Sequence, residues 1–385
     1  MANIDSSRDR LAIGAVRRRP VGSQSVTLAG KPIFSIIQSG NQKAVMQEFL
    51  NVLITVNFSD AIMDRLKTIS PRIKFMRKPV KSAADIPPET WKIVDILYTG
   101  RILPDPQSAP RLRWVQCHLA GVDSILSHPL FASEEILLTT TSGIHASTMA
   151  EYTLTMMFAF ARKLPLMLRL QSSSQWPENR HELLLPRQLR GSTLGIVGYG
   201  SIGRATARLA NAVGMDVLAT KRNVKHPEEH LSYQLDEVGD PEAEYVHRLY
   251  PPEALKSMLA ECDFVQVAVP SIPSNRGLIA MEEFDVMQRT AVIINVARGE
   301  VIDEADLIDA LQSGKIGGAA LDVFEVEPLP ITSPLWGMEN VIISPHISGN
   351  SEDYNEKAAG VLEANLRRYL DDEELVNRVD WKRGY

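Results

Sequence analysis

The stretch LGIVGYGSIGRATARLANAVGMDVLATKRN, residues 194–223, constrains the fold more than any other part of the chain. An apolar run ends at Gly198, a loop carries Gly200 and Gly203, an Ala/Arg/Leu-rich run follows, and a second apolar run closes at Thr220. Strand, tight turn, helix and strand in so short a span form a right-handed crossover between parallel neighbours. The runs TLGIVGY, DVLAT, DFVQVAV, AVIINVA, GGAALDV and NVIISP extend the pattern. They are almost continuously apolar, as strands of a parallel sheet covered on both faces must be.

A chain of 385 residues exceeds one typical core, so a second domain is expected. It lies before the first. In NVLITVNFSDAIMDRLKTI a β-branched run precedes a Ser59 or Asp60 cap and a helical spacing of Ile62, Leu66 and Ile69. The short runs IKFMRK, VDILYTG, LRWVQCHLAG and ILLTTTSG repeat the alternation up to about residue 147 and predict a second parallel α/β unit. An amphipathic helix from about Ala146 to Leu164 and the loop QSSSQWPENRHELLLPRQLRG lead into the glycine unit. Residues 224–255 are polar and long for a strand connection and read as a surface insertion. The last helix carries Ala358, Leu362, Leu366 and Leu370 on one side, a face suited to packing back on the first unit.

Composition narrows the function classes. A formal charge of −6 gives no basic field for nucleic acid. The longest apolar candidate, TMAEYTLTMMFAFARKLP, is interrupted by Glu151 and closed by Arg162 and Lys163, so no membrane span is expected. Cys117 and Cys262 show no metal-type pairing and no secretory signal precedes them, which predicts a reduced, cytoplasmic setting with each thiol buried. The first 49 residues, with the run Arg17–Arg19, read as a solvated extension. His226 and His230 stand four apart, yet Pro227 and the neighbouring acids suit an exposed loop, and no metal site is expected.

The glycine spacing has a physical reading. Gly198 makes the tight turn, Gly200 lets backbone approach a pyrophosphate, and Gly203 lets helix pack on strand. Backbone N–H groups at Ser201 and Ile202 then face the phosphates. About 20 residues on, a chain that binds NAD usually has an acid for the adenine ribose. Here Lys221 and Arg222 stand in its place, where they can pair with a 2′-phosphate, with Thr220 or Asn223 adding hydrogen bonds. This favours NADP(H), with NAD held in another way as the alternative.

Three later strand ends supply chemistry. Arg298 follows AVIINVA, the acids Glu325 and Glu327 follow GGAALDV, and His346 follows NVIISP. Hydride delivery to a carbonyl leaves charge on oxygen that a His can protonate, while a guanidinium binds a substrate carboxylate and polarises the carbonyl. A neighbouring carboxylate would hold the other imidazole nitrogen. Taken singly, each of these side chains also has an ordinary structural reading.

Together the stretches LRGSTLGIVGYGSIGR, CDFVQVAVPSIPSNRGLI, VIINVARGEVIDEADLIDAL, GAALDVFEVEPLP and SPLWGMENVIISPHISG resemble the D-isomer-specific 2-hydroxyacid dehydrogenases. The resemblance covers roughly residues 95–385. It implies two Rossmann-like domains, a doubly wound parallel-sheet cofactor domain (148–348) inserted in a smaller flavodoxin-like substrate domain (50–147 with the returning helix 349–385). It selects Glu327 over Glu325 as the partner of His346, the acid/base, and assigns Arg298 to substrate. It adds Val269, Pro270, Asn275, Val296 and Asp322 as coenzyme contacts, Asp322 at the nicotinamide carboxamide. Backbone at Tyr98, Thr99, Gly100, Ala120, Gly121 and Val122 would receive the substrate carboxylate.

The implied reaction interconverts a small D-2-hydroxy acid and its 2-keto acid, with glyoxylate or hydroxypyruvate as examples, in a homodimer joined through the helix from Ala146. Asn275 departs from the family's usual Thr, and Lys221 from the Asp of its NAD-dependent members. NAD-dependent phosphoglycerate oxidation and a nucleotide-sensing, corepressor-like dimer remain as alternatives. A formate-oxidising relative is disfavoured, because such enzymes pair Gln rather than Glu with the His.

Overall fold

Apolar β-branched runs in both halves of the chain fold into parallel sheets, with helices, short 3-10 turns or loops bringing the chain back to the starting edge between strands. The computed structural model describes residues 49–385 apart from 123, 134, 229–232, 234, 236–237, 383 and 385. The expected extension, Phe49 excepted, and His230 of the His226/His230 pair lie outside the described residues.

The first sheet contains β1 (Leu50–Ile54), β2 (Ile73–Arg77), β3 (Ile96–Thr99), β4 (Trp114–Cys117) and β5 (Leu137–Thr139), in the order β2-β1-β3-β4-β5. Every pairing is parallel. That is the flavodoxin-like order. Ser59 starts the helix Asp60–Lys67 as anticipated, its hydroxyl accepting from the Ile62 N–H at 3.2 Å.

The second sheet contains β6 (Thr193–Val197), β7 (Asp216–Thr220), β8 (Arg248–Tyr250), β9 (Phe264–Val267), β10 (Val292–Asn295), β11 (Gly318–Leu321) and β12 (Val341–Ile343). Its order is β12-β11-β10-β9-β6-β7-β8, again all parallel, which is the doubly wound Rossmann arrangement with one strand added. The reason for the continuous apolar runs is visible in the packing. Val265, Val267 and Ile293 enter one core, whereas Phe264, Val292 and Ile294 enter the core on the opposite face.

The C-terminal helix (Tyr354–Leu370) returns to the first sheet, with Ala359, Leu362 and Leu366 in one core with Val52, Ile54, Ile96 and Trp114. Asn365 supports the docking by donating to Gln116 Oε1 at 2.9 Å. Truncating a fully buried Leu such as Leu362 to Ala costs about 2–5 kcal/mol.

Two sequence expectations need correction. Arg248–Tyr250 lies inside the stretch read as insertion, yet forms β8, an edge strand three residues long paired only with β7. So short a run carries too little alternation to register as a strand. The helix from Ala146 ends at Ala161, Lys163 turns left-handed at φ 58°, and a new helix (Leu164–Ser172) starts with Pro165 in its first turn. Proline suits a helix start, because it lacks only an N–H that would be unpaired there anyway. Of the loop expected from Gln171 onward, Gln171, Ser172 and Arg180–Leu183 are helical. Cys117 and Cys262 are fully buried free thiols, pushed up to about 11 and about 12 mainly by burial.

Candidate active site

Strand order reverses between β6 and β9 in the second sheet, and ligands of open α/β sheets bind outside the strand ends at such a reversal. The glycine loop fills that place. Gly198 has φ +105°, and a Cβ there would stand 2.7 Å from the Ala268 carbonyl. At Gly203 a Cβ would stand 2.5 Å from the Gly198 carbonyl, where the helix Ser201–Ala212 rests on the turn. At Gly200 the space is open within 4 Å. Two glycines thus make room for the protein's own backbone, and the third leaves the approach clear at a helix start, which fits a dinucleotide pyrophosphate.

The register Val197↔Thr220 brings Lys221 and Arg222 to the same sheet edge as the glycine loop. Thr220 does not extend this pair outward. It is buried, and its hydroxyl accepts from the Gly198 N–H at 3.0 Å, so it braces the turn.

Arg298 sits in the turn after β10. Gly299 must follow it, since a Cβ there would overlap the backbone of Phe324 and Glu325. The Arg turn is therefore wedged against the loop after β11, and that loop carries Glu327. Glu327 Oε1 accepts from the Phe324 N–H at 3.1 Å, and Oε2 meets His346 Nδ1 at 2.7 Å. Glu325 instead accepts from the Glu304 N–H at 3.4 Å. A carboxylate can only accept, so the His346 proton in this bond is on Nδ1, and Nε2 is the nitrogen left for chemistry. Both side chains of the pair remain partly exposed, at 48% and 37%.

His346 adopts a left-handed backbone conformation, φ 53°, which is uncommon outside glycine and persists where surroundings enforce it. Asp322 enforces it. Its Oδ1 accepts from the Ser344 hydroxyl at 2.6 Å and the Ile347 N–H at 2.9 Å, its Oδ2 from the Ser348 N–H at 2.9 Å, and its carbonyl from the His346 N–H at 2.8 Å. The Tyr152 hydroxyl bonds Ser344 in turn at 2.7 Å. This anchoring was not anticipated for Asp322, because its partners lie more than 20 residues away in sequence.

A cleft of about 1020 Å³ joins these groups to the first sheet. Of the predicted residues, Gly121, Val122, Gly200, Ser201, Ile202, Val269, Pro270, Val296, Arg298, Asp322 and His346 line it. Glu327 stands behind His346. Thr99 and Gly100 do not line it: Thr99 is buried, its hydroxyl closing a turn with Ile102 and bonding Thr55 at 2.8 Å, and Arg101, the next residue after Gly100, lines the cleft. Asn275 folds onto its own loop, donating to the Pro270 carbonyl at 2.8 Å.

Sequence reading missed His118, His145 and Tyr354 on the opposite wall. His118 Nδ1 bonds the Tyr98 hydroxyl at 2.8 Å, and its ring meets Tyr354 edge-on with centroids 5.0 Å apart. Burial, with His145 adding to it, lowers His118 to about 4. His145 is lowered too, by burial first, against the raising effect of its bond to the Gly349 carbonyl. Both are neutral near pH 7. No local sequence signal marks them, because only the fold brings them together.

Residues 154–348 match the family model described as D-isomer specific 2-hydroxyacid dehydrogenase, NAD binding domain. A glyoxylate reductase of Korarchaeum cryptofilum is 34% identical over 275 residues, 71% of this chain and 78% of its own. An (S)-sulfolactate dehydrogenase of Chromohalobacter salexigens is 34% identical over 261 residues, 68% of this chain and 78% of its own. Among solved structures, a D-isomer specific 2-hydroxyacid dehydrogenase of Xanthobacter autotrophicus in complex with NADPH and MES superposes with TM-score 0.71 at 31% identity, covering 88% of this chain and 100% of its own. An NADPH-dependent glyoxylate/hydroxypyruvate reductase of Sinorhizobium meliloti in complex with NADP and sulfate gives TM-score 0.68 at 25% identity, covering 87% and 100%.

Proposed function

The chain belongs to the D-isomer specific 2-hydroxyacid dehydrogenases, and we propose that it is an NADPH-preferring reductase of small 2-keto acids such as glyoxylate or hydroxypyruvate. The observation that carries this reading is the 2.7 Å bond between His346 and Glu327, set on the same cleft as Arg298 and the glycine loop. A nicotinamide held at the reversal point of the second sheet supplies the hydride. Arg298 binds the keto acid's carboxylate and polarises its carbonyl, and His346 Nε2 gives the proton as the oxygen gains charge. Glu327 fixes the imidazole so that this nitrogen faces the substrate. Backbone at Gly121 and Val122 receives the carboxylate from the other side.

Lys221 and Arg222 support the coenzyme preference, since two cations beside the glycine loop attract a 2′-phosphate where an acid would repel it. The relatives solved with NADPH or NADP point the same way. A homodimer is supported by apolar side chains left exposed around the helices Ala146–Ala161 and Leu164–Ser172, among them Phe158, Leu168, Trp176 at 83% and Leu185 at 67%. No helix among the described residues is long and apolar enough to cross a membrane.

Purified protein tested with NADPH and NADH against a panel of 2-keto acids decides the matter. The expected result is turnover of glyoxylate or hydroxypyruvate with higher kcat/KM for NADPH. Normal coenzyme binding without turnover of any keto acid would overturn the enzyme reading in favour of a nucleotide sensor.

A further inference from the structure

Among the described residues between β7 and β8, Pro227 and Asp240 contact one part of the molecule and Tyr233 another. At one end they close on the glycine loop. Tyr199, between Gly198 and Gly200, donates its hydroxyl to the Asp240 carboxylate. Arg204, in the first turn of the helix Ser201–Ala212, lays its guanidinium over the Tyr199 ring at 4.6 Å and donates to the carbonyls of Asp240 and Pro227. Asp240 also accepts from the Glu244 and Tyr245 N–H groups, at 2.7 and 3.0 Å. Tyr199, Arg204 and Asp240 are 3%, 2% and 3% exposed. A cation so deeply buried requires hydrogen-bond acceptors and a nearby counter-charge, and the connection between β7 and β8 supplies them.

At the other end Tyr233 docks on the half of the molecule built around the first sheet. Its N–H donates to Asn377 Oδ1 at 2.9 Å. Its carbonyl crosses so close to Gly143, φ +97°, that a Cβ there would overlap it. Its hydroxyl lies 3.0 Å from where a Cβ on Gly360 would stand, in the C-terminal helix. The ring packs against Ile144, Ala358 and Val361. These contacts stand directly behind Ser142, His145 and Tyr354, which line the cleft.

We propose that this connection is a positioning element that couples the glycine loop to the opposite wall of the cleft. Coenzyme affinity then draws on the Tyr233 contacts with Asn377, Gly143 and Gly360, far from the glycine loop in sequence. The proposal rests on the reading of the glycine loop as the coenzyme site. It assigns a role to a segment that sequence alone placed on the surface. Asp240 and Tyr199 form its near anchor and Tyr233 its far one, so loosening either end should free the same loop.

The test is a cycle of variants in the full chain, read by NADPH titration and by steady-state kinetics. Tyr233→Ala and Asp240→Asn should each raise the Kd for NADPH about five- to tenfold, and the double variant should go little beyond the larger single effect. At saturating NADPH kcat should stay within about twofold, since neither residue touches the reacting atoms. Gly360→Ala guards against mere unfolding. It favours the helix while crowding the Tyr233 hydroxyl, so weaker NADPH binding with an unchanged or raised Tm supports the coupling. Unchanged NADPH affinity in both Tyr233→Ala and Gly360→Ala would overturn it, and so would full additivity in the double variant. If the parent protein binds neither NADPH nor NADH, the coenzyme reading itself is wrong and the coupling falls with it.

Discussion

The wall of the cleft built on the second sheet takes its chemistry from residues just beyond strand ends: Val269 after β9, Arg298 after β10, Asp322 after β11 and His346 after β12. The wall on the first sheet is made differently. Arg101 and His118 also follow strand ends, those of β3 and β4, but His145 and Tyr354 come from the starts of the helix Ala146–Ala161 and of the C-terminal helix, and ring contacts join His118 and His145 through Tyr354. Groups placed by strand ends inherit their spacing from the sheet, so the reaction they perform is hard to alter piecemeal. Groups placed by side-chain packing can change one at a time. Under the proposed function, the reaction falls to one wall and the choice of substrate to the other.

The largest expected effect lies on the second-sheet wall. His346→Ala should lower kcat by about 10²–10⁴-fold while NADPH still binds, measured by steady-state kinetics and coenzyme titration. An equal loss on replacing His118 would erase the division of labour. Arg298→Lys keeps the charge but loses the planar fork, and should raise KM for the keto acid about 10- to 100-fold with a smaller fall in kcat. An unaltered KM would move carboxylate binding to Arg101 or to backbone on the first-sheet wall.

Lys221→Asp combined with Arg222→Ala should shift the NADPH/NADH ratio of kcat/KM toward NADH by about 10- to 100-fold, on the order of 1.4–2.7 kcal/mol. This change should leave the ranking of keto acids intact, because it lies away from both walls.

The smallest effect belongs to His118→Gln, which keeps a partner for the Tyr98 hydroxyl. KM values for different keto acids should change by a few-fold, unequally, with kcat within about threefold. The same variant tests a pH dependence. The unfolded chain takes up the His118 proton near its ordinary 6.5, whereas the folded chain waits until about 4. Stability from this group is therefore full above pH 6.5 and is lost as pH falls toward 4. Urea midpoints measured across that window should fall less steeply for His118→Gln than for the parent.

The parallel fold, the glycine loop and the positions of Arg298 and His346 were legible from local pattern, a continuous apolar run, a fixed glycine spacing and a polar residue just past a strand, whereas the choice of Glu327 over Glu325 came from the family resemblance. The anchoring by Asp322 was not legible, since its bonds to Ser344, Ile347 and Ser348 exist only once β11 and β12 lie side by side. Tyr233 and Asp240 were hidden for a related reason. A polar connection with Pro and acids looks solvated, and only tertiary contact buries Asp240 or seats Tyr233 over two glycines. On the first-sheet wall only Ala120, Gly121 and Val122 were anticipated, through the family resemblance; His118 and His145 gave no signal, because only the fold buries them and lowers their pKa.

Gly299 has a mechanical consequence. Side chains change rotamer on picosecond to nanosecond timescales, but one main chain pressed against another has no rotamers to sample. The spacing between the turn that carries Arg298 and the loop that carries Glu327 is gauged at its root by atomic radii. Under the proposed function, each turnover would start from the same spacing on this side of the cleft, whichever acid the opposing surface is fitted to.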